Sequence, residues 1–153
     1  VQSSPFCVSF GFAMAGIIAR FKGKKLELCS AGHPMPIIYH HKTGTCEIIK
    51  QKENTSGAIG IKDFPVFYNS VFVDFENGDE LILYSDGVTD IYNDKKEEYG
   101  IERFINKIEN VADNTVTAQM NEISESLEAF KENQKQPDDI TVIIVKKIKN
   151  AAK

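Results

Sequence analysis

The first half of the chain is built from short apolar segments, each only a few residues long and each ended by turn-forming residues. Between Ala15 and Glu47 these segments are interrupted at Lys22-Gly23-Lys24 and again at Lys42-Thr43-Gly44. Apolar runs of this length bounded by glycine read as strands, and such short breaks predict antiparallel hairpins. Ile37, Ile38 and Tyr39 fall on one strand, and Cys46, Ile48 and Ile49 on its partner. Further strands are predicted at Val66 to Phe75 and at Glu80 to Tyr84. Asn77-Gly78-Asp79 joins these two as a hairpin, because Asn-Gly accepts the positive φ of a tight turn.

The period then lengthens. Ile101, Phe104, Ile105 and Ile108 fall at i, i+3, i+4 and i+7, and Val116, Met120, Ile123, Leu127 and Phe130 make a second stripe of helical spacing. Two amphipathic helices are therefore predicted. The last apolar segment, Ile140 to Ile148, is continuous and rich in β-branched residues, which predicts a central strand covered on both faces. The order of strands, helices and a final strand, without repeat or linker, predicts one unit over residues 1–150. Its class is α+β, with antiparallel sheets layered and helices packed outside.

Composition narrows the function classes. With 153 residues, 42% hydrophobic and 26% charged, the chain has the make-up of one globular core. Its 22 acidic and 18 basic side chains leave a net charge of -4, so no general positive field exists to hold a phosphate backbone, and nucleic acid is excluded as the expected partner. The longest nearly uncharged apolar run, Phe10 to Ala19, is shorter than the roughly 20 residues a membrane helix needs, and residues 1–9 carry no Lys or Arg. A cytoplasmic protein without direct membrane contact is expected, although an upstream domain of a longer parent is free to supply a tether. Cys7, Cys29 and Cys46 are odd in number and lack Cys-x-x-Cys spacing, which reads as buried free thiols. The start at Val1, inside an apolar stretch, leads to the expectation of a processed product or a piece cut from something longer.

The candidate chemistry lies at two acidic corners. In Glu80-Leu81-Ile82-Leu83-Tyr84-Ser85-Asp86-Gly87-Val88-Thr89-Asp90, an apolar strand runs directly into an acid followed by glycine. Gly87 lets the chain turn sharply and leaves room for an ion or a phosphate beside Asp86. In Pro137-Asp138-Asp139-Ile140-Thr141, two acids stand at the mouth of the final strand, where they repel each other unless a positive charge intervenes. If the two strands are neighbours, Asp86 and Asp138 converge on one hard cation. Asp-Gly is equally a common turn and Asp-Asp a common strand cap, and spacing alone leaves both readings open. A phosphotransferase with an aspartyl nucleophile needs an acid two residues before Asp-Gly, and that position is Tyr84.

Four strings in order, Ser30-Ala31-Gly32-His33-Pro34, Gly78 through Asp90, Tyr99-Gly100-Ile101-Glu102-Arg103-Phe104 and Asp138-Asp139-Ile140-Thr141-Val142, make the chain resemble the stage II sporulation protein E-like branch of the metal-dependent (PPM) serine/threonine protein phosphatases. Each string alone is weak; their order across nearly the whole chain is specific. The resemblance implies an α-β-β-α sandwich, N-terminally incomplete here, and a site that holds two Mn²⁺ or Mg²⁺ ions in the complete domain. It also implies a phosphorylated regulatory protein of the anti-anti-sigma type as substrate. Carried onto this sequence, it makes Asp86 and Asp138 metal ligands and puts Asp139, Asp90 and Gly87 around them as supports or further contacts. Gly32 and His33 become a structural motif, with His33 a hydrogen-bonding residue in preference to a general acid. In the implied mechanism, two cations clamp the phosphate and activate a water for in-line attack, so no Cys or Ser need be a nucleophile.

The family places a bridging acid on its early strands, and no acid occurs between Val1 and Lys25. With half the carboxylates, the chain is expected to hold a cation weakly and to be nearly inactive. The competing expectation is a non-catalytic module of the same fold that binds a partner or forms a homodimer. His40 and His41 are read as a solvated strand end, and Lys146-Lys147-Ile148-Lys149 as a solvated tail.

Overall fold

The computed structural model describes residues 13–50, 57–60 and 67–148. Strand β1 (Gly16–Lys22) turns through Gly23, at a φ of 57°, into β2 (Lys25–Ala31), with Lys22 opposite Lys25. The chain then crosses to a second layer. There β3 (Ile37–His40) and β4 (Thr45–Ile48) form the hairpin expected around Lys42-Thr43-Gly44, with Gly44 at a φ of 70°. Strand β5 (Val71–Asp74) returns to pair with β2, and β6 (Glu80–Tyr84) pairs with β3. Helices α1 (Gly100–Val111) and α2 (Val116–Lys131) follow, and the last strand is β7 (Val142–Lys146), antiparallel to β6. The result is a three-stranded sheet in the order β1-β2-β5 and a four-stranded sheet in the order β4-β3-β6-β7.

Period-2 alternation explains the layering. Ile38, Leu81 and Leu83 face the first sheet, where they meet Leu26, Leu28, Val71 and Val73. Ile37, Tyr39, Ile82 and Tyr84 point the other way, onto Phe104, Ile108, Ile123 and Leu127 of the helices. The predicted α+β layering with helices outside is thus the observed architecture, and both helical stripes form helices. Thr115 caps α2, its side chain accepting a hydrogen bond from the Ala118 amide.

Four expectations are corrected. Asn77-Gly78-Asp79 does not close a hairpin, because β5 and β6 belong to different sheets and the turn carries the chain between layers. Gly78 does take a φ of 95°, and Asp79 is buried there, its carboxylate accepting hydrogen bonds from the Glu76 and His41 amides at 2.7 and 3.0 Å. The final strand is not central among the described residues: β7 lies at the edge of their four-stranded sheet, and Ile143 and Val145 are 49% and 36% exposed. Nor are Lys146 and Lys147 a solvated tail. Lys146 sits directly opposite Glu80 and bonds its fully buried carboxylate at 2.7 Å, while Lys147 donates to the carbonyls of Gly23 and Phe75.

His40 likewise has partners, Glu47 at 3.0 Å and Asp79 at 3.9 Å, and is not merely solvated. Cys29 and Cys46 are free thiols and half-buried, and Cys7 lies outside the described residues, as does Val66.

Glu80, Lys146 and Gln119 form a polar knot inside an otherwise apolar layer, since Gln119 Nε2 donates to Glu80 at 2.8 Å and to the Ala112 carbonyl at 3.1 Å. Removing Lys146 leaves a carboxylate buried without its cation. Lys146→Met is therefore expected to lower stability by about 3 kcal/mol in urea unfolding, and adding Glu80→Gln to restore part of the loss. A second test concerns Cys46, whose thiol is pushed up to about 12 by burial first and by the nearby Glu109 and Glu80 second. Cys46 is expected to resist iodoacetamide at pH 8 in the native chain and to react once the chain is unfolded in urea, as read by mass spectrometry. Because the folded thiol holds its proton to higher pH than an unfolded one, this contribution to stability is lost only as the pH climbs above the ordinary thiol range.

Candidate functional site

The strand registers gather several loops at one end of the two sheets. Ile37 lies opposite both Ile48 and Ile82, so the chain entering β3, the chain leaving β4 and the chain leaving β6 share that end. Tyr84 is opposite Val142, which brings the segment before β7 to the same place. The two acidic corners of the sequence are therefore neighbours, as antiparallel pairing requires.

At the first corner, Asp86–Val88 forms a single 3-10 turn. The Asp86 carbonyl accepts from the amides of Thr89 and Asp90, each at 2.9 Å, and its carboxylate accepts from the Gly87 amide at 3.0 Å. Gly87 is needed for proximity: a Cβ there would lie 2.4 Å from the Asp139 carbonyl oxygen and 3.2 Å from that of Asp138. At the second corner, the Asp138 carboxylate accepts from the Asp139 amide at 2.7 Å.

Ser85 clasps the two corners together. Its hydroxyl donates to the Asp139 carbonyl at 2.9 Å and accepts from the Thr141 amide at 2.9 Å, while its own amide donates to the Thr141 carbonyl at 3.0 Å. Gln136 adds a second tie, its Nε2 donating to the Gly87 carbonyl at 3.1 Å. Sequence reasoning assigned neither residue a role. The available signal was positional: a hydroxyl immediately before Asp-Gly at a strand end, and an amide two residues before Asp138.

Asp86, Asp90, Asp138 and Asp139 are all exposed, and among the described residues none of them is in a salt bridge. Asp90 accepts from the Thr89 hydroxyl at 3.0 Å. Gly32, at a φ of 65°, packs so closely on Ala58 that a Cβ would lie 2.7 Å from its amide nitrogen. His33 bonds locally through Nδ1 to the Pro34 carbonyl at 3.0 Å, and the Ser30 hydroxyl donates to the His33 carbonyl at 3.2 Å. Among the described residues no helix is long and apolar enough to cross a membrane.

The family described as Stage II sporulation protein E (SpoIIE) matches residues 8–147. The chain belongs to that family. Its structure is similar to the SiaA-PP2C domain of Pseudomonas aeruginosa, with a TM-score of 0.67 and 21% identity over 80% of this chain and 46% of that one. It also resembles the manganese-presoaked phosphatase domain of the cell fate determinant SpoIIE from Bacillus subtilis, with a TM-score of 0.66 and 16% identity, covering 92% and 59% of the two chains. The RsbU and RsbW domains of a Mycobacterium tuberculosis protein match with a TM-score of 0.66 and 17% identity, covering 88% and 36%. No curated protein matches the sequence. The fold is that of PP2C-type protein phosphatase domains, and the chain spans about half the length of the solved relatives it matches.

The clasp makes a specific demand on stability. Ser85→Ala removes both hydroxyl bonds and is expected to cost about 1–3 kcal/mol in thermal unfolding. Gly87→Ala, which drives a methyl into the Asp139 carbonyl, is expected to cost more and to shift the amide resonances of residues 138–141; an unchanged spectrum would show that the corners are not in contact.

Proposed function

We propose that residues 1–150 form the C-terminal portion of a metal-dependent phosphatase domain that hydrolyses phosphoserine or phosphothreonine on a bacterial regulatory protein. The observation that carries this reading is the junction of the two acidic corners at one sheet end, with Asp86 and Asp138 exposed and without counter-ions among the described residues. Membership of the SpoIIE family supports the same class of reaction. The anti-anti-sigma type of substrate follows from the family resemblance, and a cytoplasmic setting from the sequence's lack of a membrane-length apolar run and basic leader; both belong to this proposal.

The donors present fit a hard divalent cation in kind. Carboxylate oxygens suit Mn²⁺ or Mg²⁺, and the buried Oε1 of Gln136, a further oxygen donor at this corner, has no hydrogen-bond partner. They are few in number: no group of three or more His, Cys, Asp or Glu side chains able to hold a metal occurs among the described residues. Asp86 and Asp138 would hold the ion, and the roles of Asp139 and Asp90 would be to support them or add a further contact. When bound, such ions polarise phosphate oxygens and acidify a water for attack on phosphorus. The chain's own part is placement. Ser85 and Gln136 fix the two loops, and Gly87 removes the side chain that would separate them. With no acid before Glu27 in the sequence, hydrolysis by these 153 residues alone is expected at or near background.

The direct test is Mn²⁺ titration followed by paramagnetic broadening of amide resonances. Broadening centred on residues 85–90 and 138–141 is expected, saturating only at about millimolar metal, as for a site with few charged ligands. Asp86→Asn and Asp138→Asn are each expected to abolish it while leaving the remaining spectrum unchanged. Broadening that is absent, or that survives both substitutions, would leave the non-catalytic module as the better account of the chain.

A further inference from the structure

Helix α2 lies over β7 but leaves a groove of about 480 Å³ between its middle turns and the chain entering the strand. Ile123 and Leu127, 1% and 3% exposed, are its buried lining, and Met120, Ile140 and Val142 line it from more open positions. The groove is linked to the acidic corners through the chain that lines it. Ile140 directly follows Asp139, and Thr141, which also lines the groove, is tied to Ser85 through both its amide and its carbonyl.

We propose that this groove receives an apolar side chain of a phosphoprotein, flanked in that protein by a lysine or arginine, and so holds the substrate segment beside Asp86 and Asp138. The inference rests on the phosphatase reading above. Charge selects the occupant. No Lys or Arg lines the groove, its one charged lining residue is Glu128, and Asp138 and Asp139 are the two residues of the chain immediately before its lining residue Ile140. Glu128 shares its charge with Lys131 at 2.8 Å, whereas among the described residues Asp139 has no ion-pair partner. An apolar slot whose lining chain is preceded by two acids favours an aliphatic group with a cationic neighbour and disfavours an acidic segment. A second copy of this chain, carrying the same acids and a net charge of -4, is a poor match for it.

The test uses the 153-residue chain and synthetic peptides in which one leucine and an adjacent arginine are placed at successive offsets from a serine, each peptide made with and without phosphate. Binding is followed by fluorescence anisotropy. At one offset, unphosphorylated peptide without metal is expected to bind and to weaken roughly tenfold when its leucine becomes alanine. Replacing its arginine by glutamate is expected to weaken it further. Ser124→Trp, at an exposed lining position on α2, fills the groove and is expected to weaken binding by a similar factor. Ile140→Asp serves the same purpose from the opposite wall should the first variant fail to fold, folding being checked by circular dichroism. Absence of binding at every offset, or binding indifferent to whichever folded variant is used, overturns the proposal. A gain in affinity for the phosphorylated peptide only when Mn²⁺ is present tests the phosphatase reading separately. Groove-dependent binding without that gain overturns the phosphatase reading, and with it the phosphoprotein identity of the occupant.

Discussion

Everything at the candidate site depends on the register of β6 against β7. Five consecutive pairs, from Glu80 opposite Lys146 to Tyr84 opposite Val142, fix which residues emerge together at the sheet end. A slip of one residue would turn each β7 side chain to the other face and move the second acidic corner away from the first. Two polar devices guard against such a slip from opposite ends. The buried Glu80–Lys146 ion pair at one end forms only when those two residues face each other, and at the other end the Ser85 hydroxyl meets both the Asp139 carbonyl and the Thr141 amide only in this alignment. The apolar residues between them, Leu81 to Leu83 against Ile143 to Val145, are similar enough in shape to tolerate displacement. Apolar burial thus supplies the cohesion of the layer, and the polar contacts select one alignment of it.

This division explains what could be read from the sequence. Strand and helix positions follow from period, and period is a local property, so β1 to β4, α1 and α2 fall where the pattern places them. The Asn77-Gly78-Asp79 turn shows where local reading stops. Positive φ at Gly78 is needed whether the chain doubles back within a sheet or crosses to the next layer. The choice is made by distant partners: β2 receives Val71 and Val73, while β3 receives Leu81 and Ile82. The continuous β-branched run of β7 likewise records what the strand can bury and not what covers it. Gln119 and Lys146 carry polar letters at inward positions, and polar letters read as solvent until a partner such as Glu80 is known to be opposite them.

The acidic corners were legible for a different reason. An acid followed by glycine at the end of an apolar strand, and paired acids at the start of another, are conspicuous because nothing in strand formation calls for them. Their meeting could be stated only conditionally, since it required β6 and β7 to be neighbours. The residues that enforce the meeting, Ser85 and Gln136, were invisible because a serine or glutamine near a turn is ordinary and its hydrogen-bond partners lie more than 45 positions away in sequence.

The site therefore separates placement from charge. The groups that hold the corners are neutral, a hydroxyl, an amide side chain and backbone carbonyls, and they use the sides of the loops that face each other. The carboxylates of Asp86, Asp138 and Asp139 remain exposed and are not consumed by the clasp. Had lysines or arginines held the corners, each would have lowered the local negative potential and weakened any cation site built there. Neutral ties avoid that conflict and leave the acids of both loops at one sheet end without a compensating positive charge among the described residues, exposed to solvent that screens them. That uncompensated negative charge is a standing preference for a positively charged ligand, and it acts on whatever approaches this end of the sheet, including the basic flank proposed for a segment seated in the neighbouring groove.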